Sequence, residues 1–165
     1  MGAGKTSVGR ELARIMSTTF LDLDDQVVAA ASRSISEIFE QDGEAEFRRL
    51  ESEQLRLVLG GKEDAPGVLA LGGGAFAQPG NEDLVRSVRT AIVFLDAPVE
   101  ELARRCRGEA ARPLASDHDL FCELYRNRRP AYLRADHVVN TVGRSIEQVA
   151  HEVMLRAVPS RHGLQ

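Results

Sequence analysis

Tryptophan is absent from this 165-residue chain, cysteine occurs twice, and the only lysines are Lys5 and Lys62. Cys106 and Cys122 form no Cys-x-x-Cys pair and have no histidine near them at ligand spacing, so a disulfide or metal framework is not expected and both read as reduced thiols. No apolar run approaches the ~20 residues of a membrane span. Met1 is followed by Gly-Ala-Gly-Lys rather than by a charged segment and an apolar stretch, so no secretory signal is expected either, and the expected compartment is the cytoplasm. A basic excess is also lacking: 21 basic against 25 acidic residues leave a net charge of -4. That balance argues against a general polyanion binder, which needs surplus positive charge to neutralise phosphates. What basic charge there is comes from arginine, and eight of the nineteen arginines crowd between Arg104 and Arg134. An acidic chain that gathers arginines in one stretch implies an anionic partner there.

The length suits one domain, and helix-like and strand-like segments alternate along it without a repeat, which is the α/β pattern. Val8, Leu12, Ile15 and Met16 recur at helical spacing from Lys5 to Met16, and a short strand, Phe20 to Leu23, follows and ends on acids. A helix is expected from about Asp24 to Ala31. Ser34 and Glu37 form a capping box for the next helix, which Gly43 is expected to close. Phe47, Leu50, Gln54 and Leu57 mark a longer helix ending at Gly60-Gly61. Gly67 to Leu71 and Thr90 to Leu95 read as strands buried on both faces. Pro98 suits the first turn of a helix, and Arg107 to Ser116 reads as a loop. Pro130 should end a helix through Leu120 and Leu124, His137 to Asn140 makes a fourth strand, and Ser145 with Gln148 caps the last helix. The tail 159–165 is expected to fray.

Three stretches carry chemistry. Met1 to Thr6 matches the last six residues of the phosphate-binding pattern G-x-x-x-x-G-K-[ST]. There Gly2 and Gly4 let backbone N–H groups curl around a phosphate, Ala3 and Ser7 belong to the same loop and helix start, Lys5 reaches the phosphates, and Thr6 offers a hydroxyl to Mg²⁺. The pattern's first glycine would fall two residues upstream of Met1, so a strand and a glycine encoded in frame upstream are expected. Asp22 and Asp24 leave a strand at i and i+2, on one side of the pleat, so one carboxylate can serve a metal and the other a substrate hydroxyl. Ordinary helix capping is the competing role. Arg48 and Glu51, at i and i+3, could form a solvated pair of little consequence or a rigid fork for a carboxylate. Gly72, Gly73 and Gly74 permit close approach of a ligand to the backbone. Arg112, in the aperiodic stretch, suits a mobile loop that meets charge during phosphoryl transfer, and Arg128 suits a second anionic group.

In this order, Gly-Ala-Gly-Lys-Thr, Asp22-Leu-Asp24, Ile38-Phe39 with Gly43-Glu44, Phe47 to Glu51, Gly72 to Gly74, Arg112-Pro-Leu114 and Arg128-Arg-Pro-Ala-Tyr132 resemble the shikimate kinase family over nearly the whole chain. The resemblance implies a three-layer α/β/α P-loop kinase fold with a parallel sheet, five-stranded in the family and four-stranded here. It implies MgATP-dependent phosphorylation of the 3-hydroxyl of shikimate, in the pathway to chorismate and the aromatic amino acids. Asp24, Arg48, Gly72, Gly73, Gly74 and Arg128 resemble the shikimate-binding set, with Asp24 also the proton acceptor. Gly2, Ala3, Gly4, Lys5, Thr6 and Ser7 resemble the ATP loop, with Arg112 as the lid arginine and Arg105 and Arg144 beside adenine. Thr6 and Asp22 resemble the metal pair, and Phe39 and Phe47 the walls of the acceptor pocket.

One domain, 1–165, is expected, with an acceptor region over about 24–52 and a lid over about 107–119, working as a monomer. A gluconate-type kinase of the same fold and a non-catalytic relative are the alternatives. The carboxylate-directed set Arg48, Gly72 to Gly74 and Arg128 speaks against the first, and the retained polar positions speak against the second.

Overall fold

The computed structural model describes residues 2–61, 66–88, 90–106 and 118–157. Helix α1, Lys5–Met16, buries Val8, Gly9, Leu12 and Ala13, as the apolar spacing requires. It stops at Ser17, whose left-handed φ of 51° turns its N–H back to the carbonyl of Arg14 at 3.2 Å. Gly9 lets α1 lie directly on the next strand, because a Cβ there would sit 2.5 Å from the Phe20 ring.

Strand β1, Phe20–Asp22, passes straight into α2, Leu23–Ala31, because the Asp22 side chain caps the helix by accepting from the N–H of Asp24 at 3.1 Å. The strand is therefore one residue shorter than the sequence pattern suggests. The Ser34 and Glu37 capping box opens α3, Ile35–Gln41. Gly43 does not close that helix. Asp42 does, and Gly43, at φ 81°, is the first residue of α4, Gly43–Gly60, swinging it back across α3.

Strand β2, Val68–Ala70, leads through the glycine turn to a 3-10 turn, Ala75–Ala77, and α5, Asn81–Ser87. Then come β3, Val93–Asp96, and α6, Val99–Cys106, where the Glu101 and Leu102 N–H groups donate to the Pro98 carbonyl. Helix α7, His118–Tyr132, contains Pro130 instead of ending before it. The proline removes a donor only in the last turn, and the chain still closes Leu133 N–H onto Arg129 O at 3.0 Å. Strand β4, His137–Asn140, and α8, Ile146–Ala157, complete the order. The Ser145 and Gln148 side chains and backbones bond reciprocally ahead of α8. Most of the expected lid and the tail 159–165 lie outside the described residues.

The four strands form two parallel pairs: β1 with β2, Leu21 opposite Leu69, and β3 with β4, Leu95 opposite Val139. Among the described residues β2 and β3 share no ladder, so one four-stranded sheet is replaced by two half-sheets with an apolar slot between them. For this reason β2 and β3 are only partly buried, where burial on both faces was expected. Helix α1 packs on β1, β2 and α8, spanning both halves.

One core gathers Leu12, Leu95, Leu102, Phe121, Val139 and Val149 around the β3–β4 half. Two smaller ones, Leu23 with Leu55 and Phe76, and Val27 with Ile38 and Phe47, hold α2, α3 and α4 against β1 and β2. Each fully buried Leu contributes about 1.5–3 kcal/mol. Cys106 and Cys122 are free and buried. Contrary to the sequence reading, a histidine does stand one turn from Cys122: His118 Nε2 is 3.7 Å from its sulfur. Among the described residues no three His, Cys, Asp or Glu side chains gather as a metal set.

Candidate active site

The loop before α1 is built by conformation. Gly2 and Gly4 have φ of 65° and 79°, where a side chain is strained, and a Cβ on Gly2 would also meet the Leu102 carbonyl at 2.6 Å and the Cys106 sulfur at 2.8 Å. The loop is thereby pressed onto α6 and delivers the chain to the N-terminus of α1, where unbonded N–H groups and the helix dipole favour an anion. Lys5 opens the helix and Ala3 is buried beside it. Thr6 Oγ1 donates to Asp22 Oδ2 at 2.7 Å, while Asp22 Oδ1 accepts from Asp24 N–H. One carboxylate thus joins the phosphate-type loop to the first turn of α2. Asp22 does cap a helix, the competing role, and its other oxygen lies on Thr6. A hydroxyl and a carboxylate side by side are hard oxygen donors of the kind a small divalent cation takes.

The second cluster draws on four separated parts of the chain. Helix α4 carries Arg48, whose Nη1 donates to Glu51 Oε2 at 2.7 Å and whose Nη2 donates to Glu44 Oε1 at 3.0 Å. Glu51 is fully buried, and its other oxygen, Oε1, has no hydrogen-bond partner. Burial raises the Glu51 carboxyl above the ordinary range, the Arg48 charge opposes this, and neighbouring Asp24 adds to the rise. Burial works against the Arg48 charge too, but Glu51 and Glu44 outweigh it and the guanidinium titrates even higher than usual.

The glycine turn lies on this cluster. A Cβ on Gly72 would stand 2.5 Å from Asp24 Oδ1 and 2.6 Å from Glu51 Oε1, and one on Gly74 would stand 2.6 Å from the Arg48 guanidinium. Both glycines are therefore steric requirements of the charges beside them. Arg128 of α7 approaches Glu44 at 3.9 Å. Phe39 and Phe47 stack with centroids 4.9 Å apart, and the Arg48 guanidinium lies 5.0 Å from the Phe47 centroid.

Tyr132 escaped the sequence reading as a functional position. Its hydroxyl donates to the Gly73 carbonyl and its ring packs on Phe94 of β3, at a centroid distance of 5.2 Å. The available signal was its spacing, four residues after Arg128 on the same helix face.

On the other half, Arg105 of α6 donates to Glu101 at 2.9 Å and to the Thr141 hydroxyl at 3.1 Å. Arg144 donates to the Asn140 and Gln148 carbonyls and pairs with Glu152. Both arginines thus gather around residues 140–144 beyond β4. Arg112 lies outside the described residues. The geometry joins Thr6 with Asp22, and Asp24 with Arg48, Glu51, Gly72, Gly74 and Arg128. It can hold an anion at the α1 terminus and a carboxylate-bearing hydroxyl compound at the arginine cluster.

A family model described as shikimate kinase matches residues 1–157. Among curated relatives, a shikimate kinase of Cereibacter sphaeroides is 41% identical over 156 residues, covering 93% of this chain and 76% of the relative. One of Caulobacter vibrioides is 42% identical over 165 residues, covering 98% and 80%. Among solved structures, shikimate kinase from Acinetobacter baumannii in complex with shikimate superposes with a TM-score of 0.86 at 33% identity, covering 93% of this chain and 86% of that one. Shikimate kinase from Aquifex aeolicus gives 0.81 at 34% identity, covering 94% and 90%.

Proposed function

The chain belongs to the shikimate kinase family, an enzyme family that phosphorylates shikimate with ATP on a P-loop kinase fold, and from that premise we propose how its own residues divide the work. Arg48 and Arg128 bind the shikimate carboxylate, and Asp24 takes the 3-hydroxyl. The buried Arg48–Glu51 pair at 2.7 Å supports this assignment most directly, since it fixes a guanidinium beside the glycine turn before any ligand arrives. Gly2, Ala3, Gly4, Lys5, Thr6 and Ser7 surround the ATP phosphates, Arg105 and Arg144 flank adenine, and Arg112 covers the phosphates from the lid.

The 3-hydroxyl oxygen attacks the γ-phosphorus as its proton passes to Asp24. The bond from that phosphorus to the β–γ bridging oxygen breaks, and ADP leaves. The backbone N–H groups at the α1 terminus and Lys5 take up charge on the leaving phosphates. Thr6 and Asp22 are the donors suited to Mg²⁺, which supplies charge neutralisation between phosphates when bound.

The enzyme works as a single domain, 1–165, with its acceptor region over about 24–52 and its lid over about 107–119, as a cytoplasmic monomer. No described helix is long and apolar enough to cross a membrane. The gluconate-type and non-catalytic alternatives are not favoured, given relatives named shikimate kinase over most of the chain. A coupled ADP-release assay on shikimate, quinate and gluconate tests the acceptor assignment. Turnover should be confined to shikimate, because a site built to pair a substrate's polar groups rejects analogues lacking them by up to ~10⁴–10⁵. Faster turnover of gluconate overturns it.

A further inference from the structure

Four successive carbonyls of the glycine turn accept hydrogen bonds from within the protein. Gly72 accepts from Ala75 N–H at 3.2 Å and Gly74 from Ala77 N–H at 3.1 Å. Ala75 accepts from Gln78 N–H at 3.2 Å and from Nδ2 of the buried Asn81 at 3.0 Å. The Gly73 carbonyl differs, because its donor comes from outside the turn: the phenol of Tyr132, 59 residues on, at the end of α7. The N–H groups of Gly73 and Gly74 take no part in these bonds.

The bond from Ala75 to Gly72 closes a β-turn with Gly73 and Gly74 at its centre. Gly74, at φ -111° and ψ -17°, stands near the type I geometry. A type II turn differs by reversal of the central peptide and needs φ of about +80° at that position, which glycine adopts without steric cost. The bonds donated by Ala75 and Ala77 use the neighbouring peptides, so they survive the reversal and do not choose between the two forms. The choice matters because a trans peptide is planar, with C=O and N–H pointing in opposite directions. Drawing the Gly73 carbonyl to Tyr132 turns the Gly74 N–H away from that phenol. Gly74 lies against Arg48, where a Cβ would stand 2.6 Å from the guanidinium, so its N–H is a further donor bordering that charge. The reversed peptide would set the negative end of a carbonyl there instead. Tyr132 is itself well held, its ring packed on Phe94 at a centroid distance of 5.2 Å. Burial raises its phenol above the ordinary range, and the charges of Arg128 and Arg48 oppose the rise.

We propose that Tyr132 is a positioning residue for the acceptor: its phenol locks the Gly73–Gly74 peptide with N–H, not C=O, toward the carboxylate, and so sets the preference of the site for an acid over a neutral ester. The proposal rests on the assignment of the carboxylate to Arg48 and Arg128.

The test measures kcat and KM for shikimate and for its uncharged methyl ester in the full chain and in two variants. Tyr132→Phe keeps the ring on Phe94 and removes the donor. It should raise KM for shikimate about tenfold or more, the size of one hydrogen bond to a charged group. The preference for acid over ester should fall by the same factor, with KM for ATP unchanged. Phe94→Leu keeps the donor and loosens the ring, and should lower Tm by about 2–4 °C without changing the preference. In the unaltered chain the amide proton of ¹⁵N-labelled Gly74 should move downfield as shikimate saturates the site, a readout that does not depend on how the variants fold. The proposal is overturned by an unchanged preference in Tyr132→Phe, by an equal rise in KM for ATP, by an equal loss of preference in Phe94→Leu, or by a Gly74 amide that does not respond to shikimate. An unaltered chain that turns over acid and ester equally overturns the carboxylate assignment itself, and the role of Tyr132 with it.

Discussion

On the proposed acceptor side, Arg48 and Arg128 keep side chains only 12% and 13% exposed, and Arg48 meets a carboxylate that is 1% exposed. On the proposed nucleotide side, Arg104 and Arg105 are 70% and 28% exposed and share one carboxylate, Glu101, on their own helix, while Arg105 also donates to the Thr141 hydroxyl. The first arrangement sacrifices hydration to fix direction. The second keeps its charges wet and able to change partners. A small rigid acceptor with a carboxylate and ring hydroxyls is served by the former, since misplacement there is costly. In the proposed arrangement, a flexible nucleotide whose phosphates are gripped by backbone N–H groups tolerates the latter.

The comparison can be tested from its strongest point downward. Asp24→Asn removes the proposed proton acceptor while leaving shape intact, and kcat should fall about 10³-fold in steady-state assays. A loss below tenfold would remove Asp24 from the chemistry. Glu51→Leu leaves the Arg48 charge with only Glu44, and should lower unfolding stability by about 3 kcal/mol in urea titrations. Arg105→Ala should raise KM for ATP about threefold, the size of an exposed cation–π contact, without moving KM for shikimate. Arg49→Ala, which removes an exposed arginine paired with Glu46 and Glu53, should change stability by less than about 0.5 kcal/mol. An equal effect from Arg49→Ala and Glu51→Leu would erase the distinction between a buried and an exposed ion pair on the same helix.

Glu51 and Glu101 also titrate in opposite directions. Burial holds the Glu51 carboxyl above its ordinary value, while the Arg104 and Arg105 guanidiniums lower Glu101 to about 2. For Glu51 the folded state holds its proton longer than the unfolded chain. Its contribution to stability is therefore present below the ordinary carboxylate pKa and is lost as pH rises through the folded value. For Glu101 the sign reverses, and its contribution is present above the ordinary value and lost as pH falls through about 2. Carboxyl-carbon NMR titration should place the Glu51 midpoint above, and the Glu101 midpoint below, that of an unfolded glutamate.

The sequence revealed what local periodicity and capping control. Helix α1 and strand β4 have the expected boundaries, because the apolar spacing and flanking residues agree. Gly43 and Pro130 misled for a common reason: each is read as a stop from its own chemistry, while its effect depends on what the chain does next. Gly43 uses its positive φ to begin α4, and Pro130 sits too near the end of α7 for a lost donor to break it. The i, i+3 spacing showed that Arg48 and Glu51 can meet. That Glu51 is buried depends on the distant Gly72 turn and Asp24, and only the tertiary fold brings those together. The partner of each strand could not be read from the strand itself, since an apolar run marks a strand as buried without naming its neighbours.

Tyr132 gains a different significance from the division of the strands into two pairs. Where no ladder runs from β2 to β3, the contact from its hydroxyl to Gly73 and from its ring to Phe94 ties one half to the other, alongside α1. The core clusters cross the division too, with Val68 of β2 packing on the cluster around β3 and β4 and Ile92 belonging to the cluster of Leu23 and Leu55, so side-chain packing couples the two halves. The glycine turn at the acceptor lies on this tie. Among the described residues, an opening of the β1–β2 half therefore has to release the Tyr132 phenol from the Gly73 carbonyl as well as the packing of α1 on both halves.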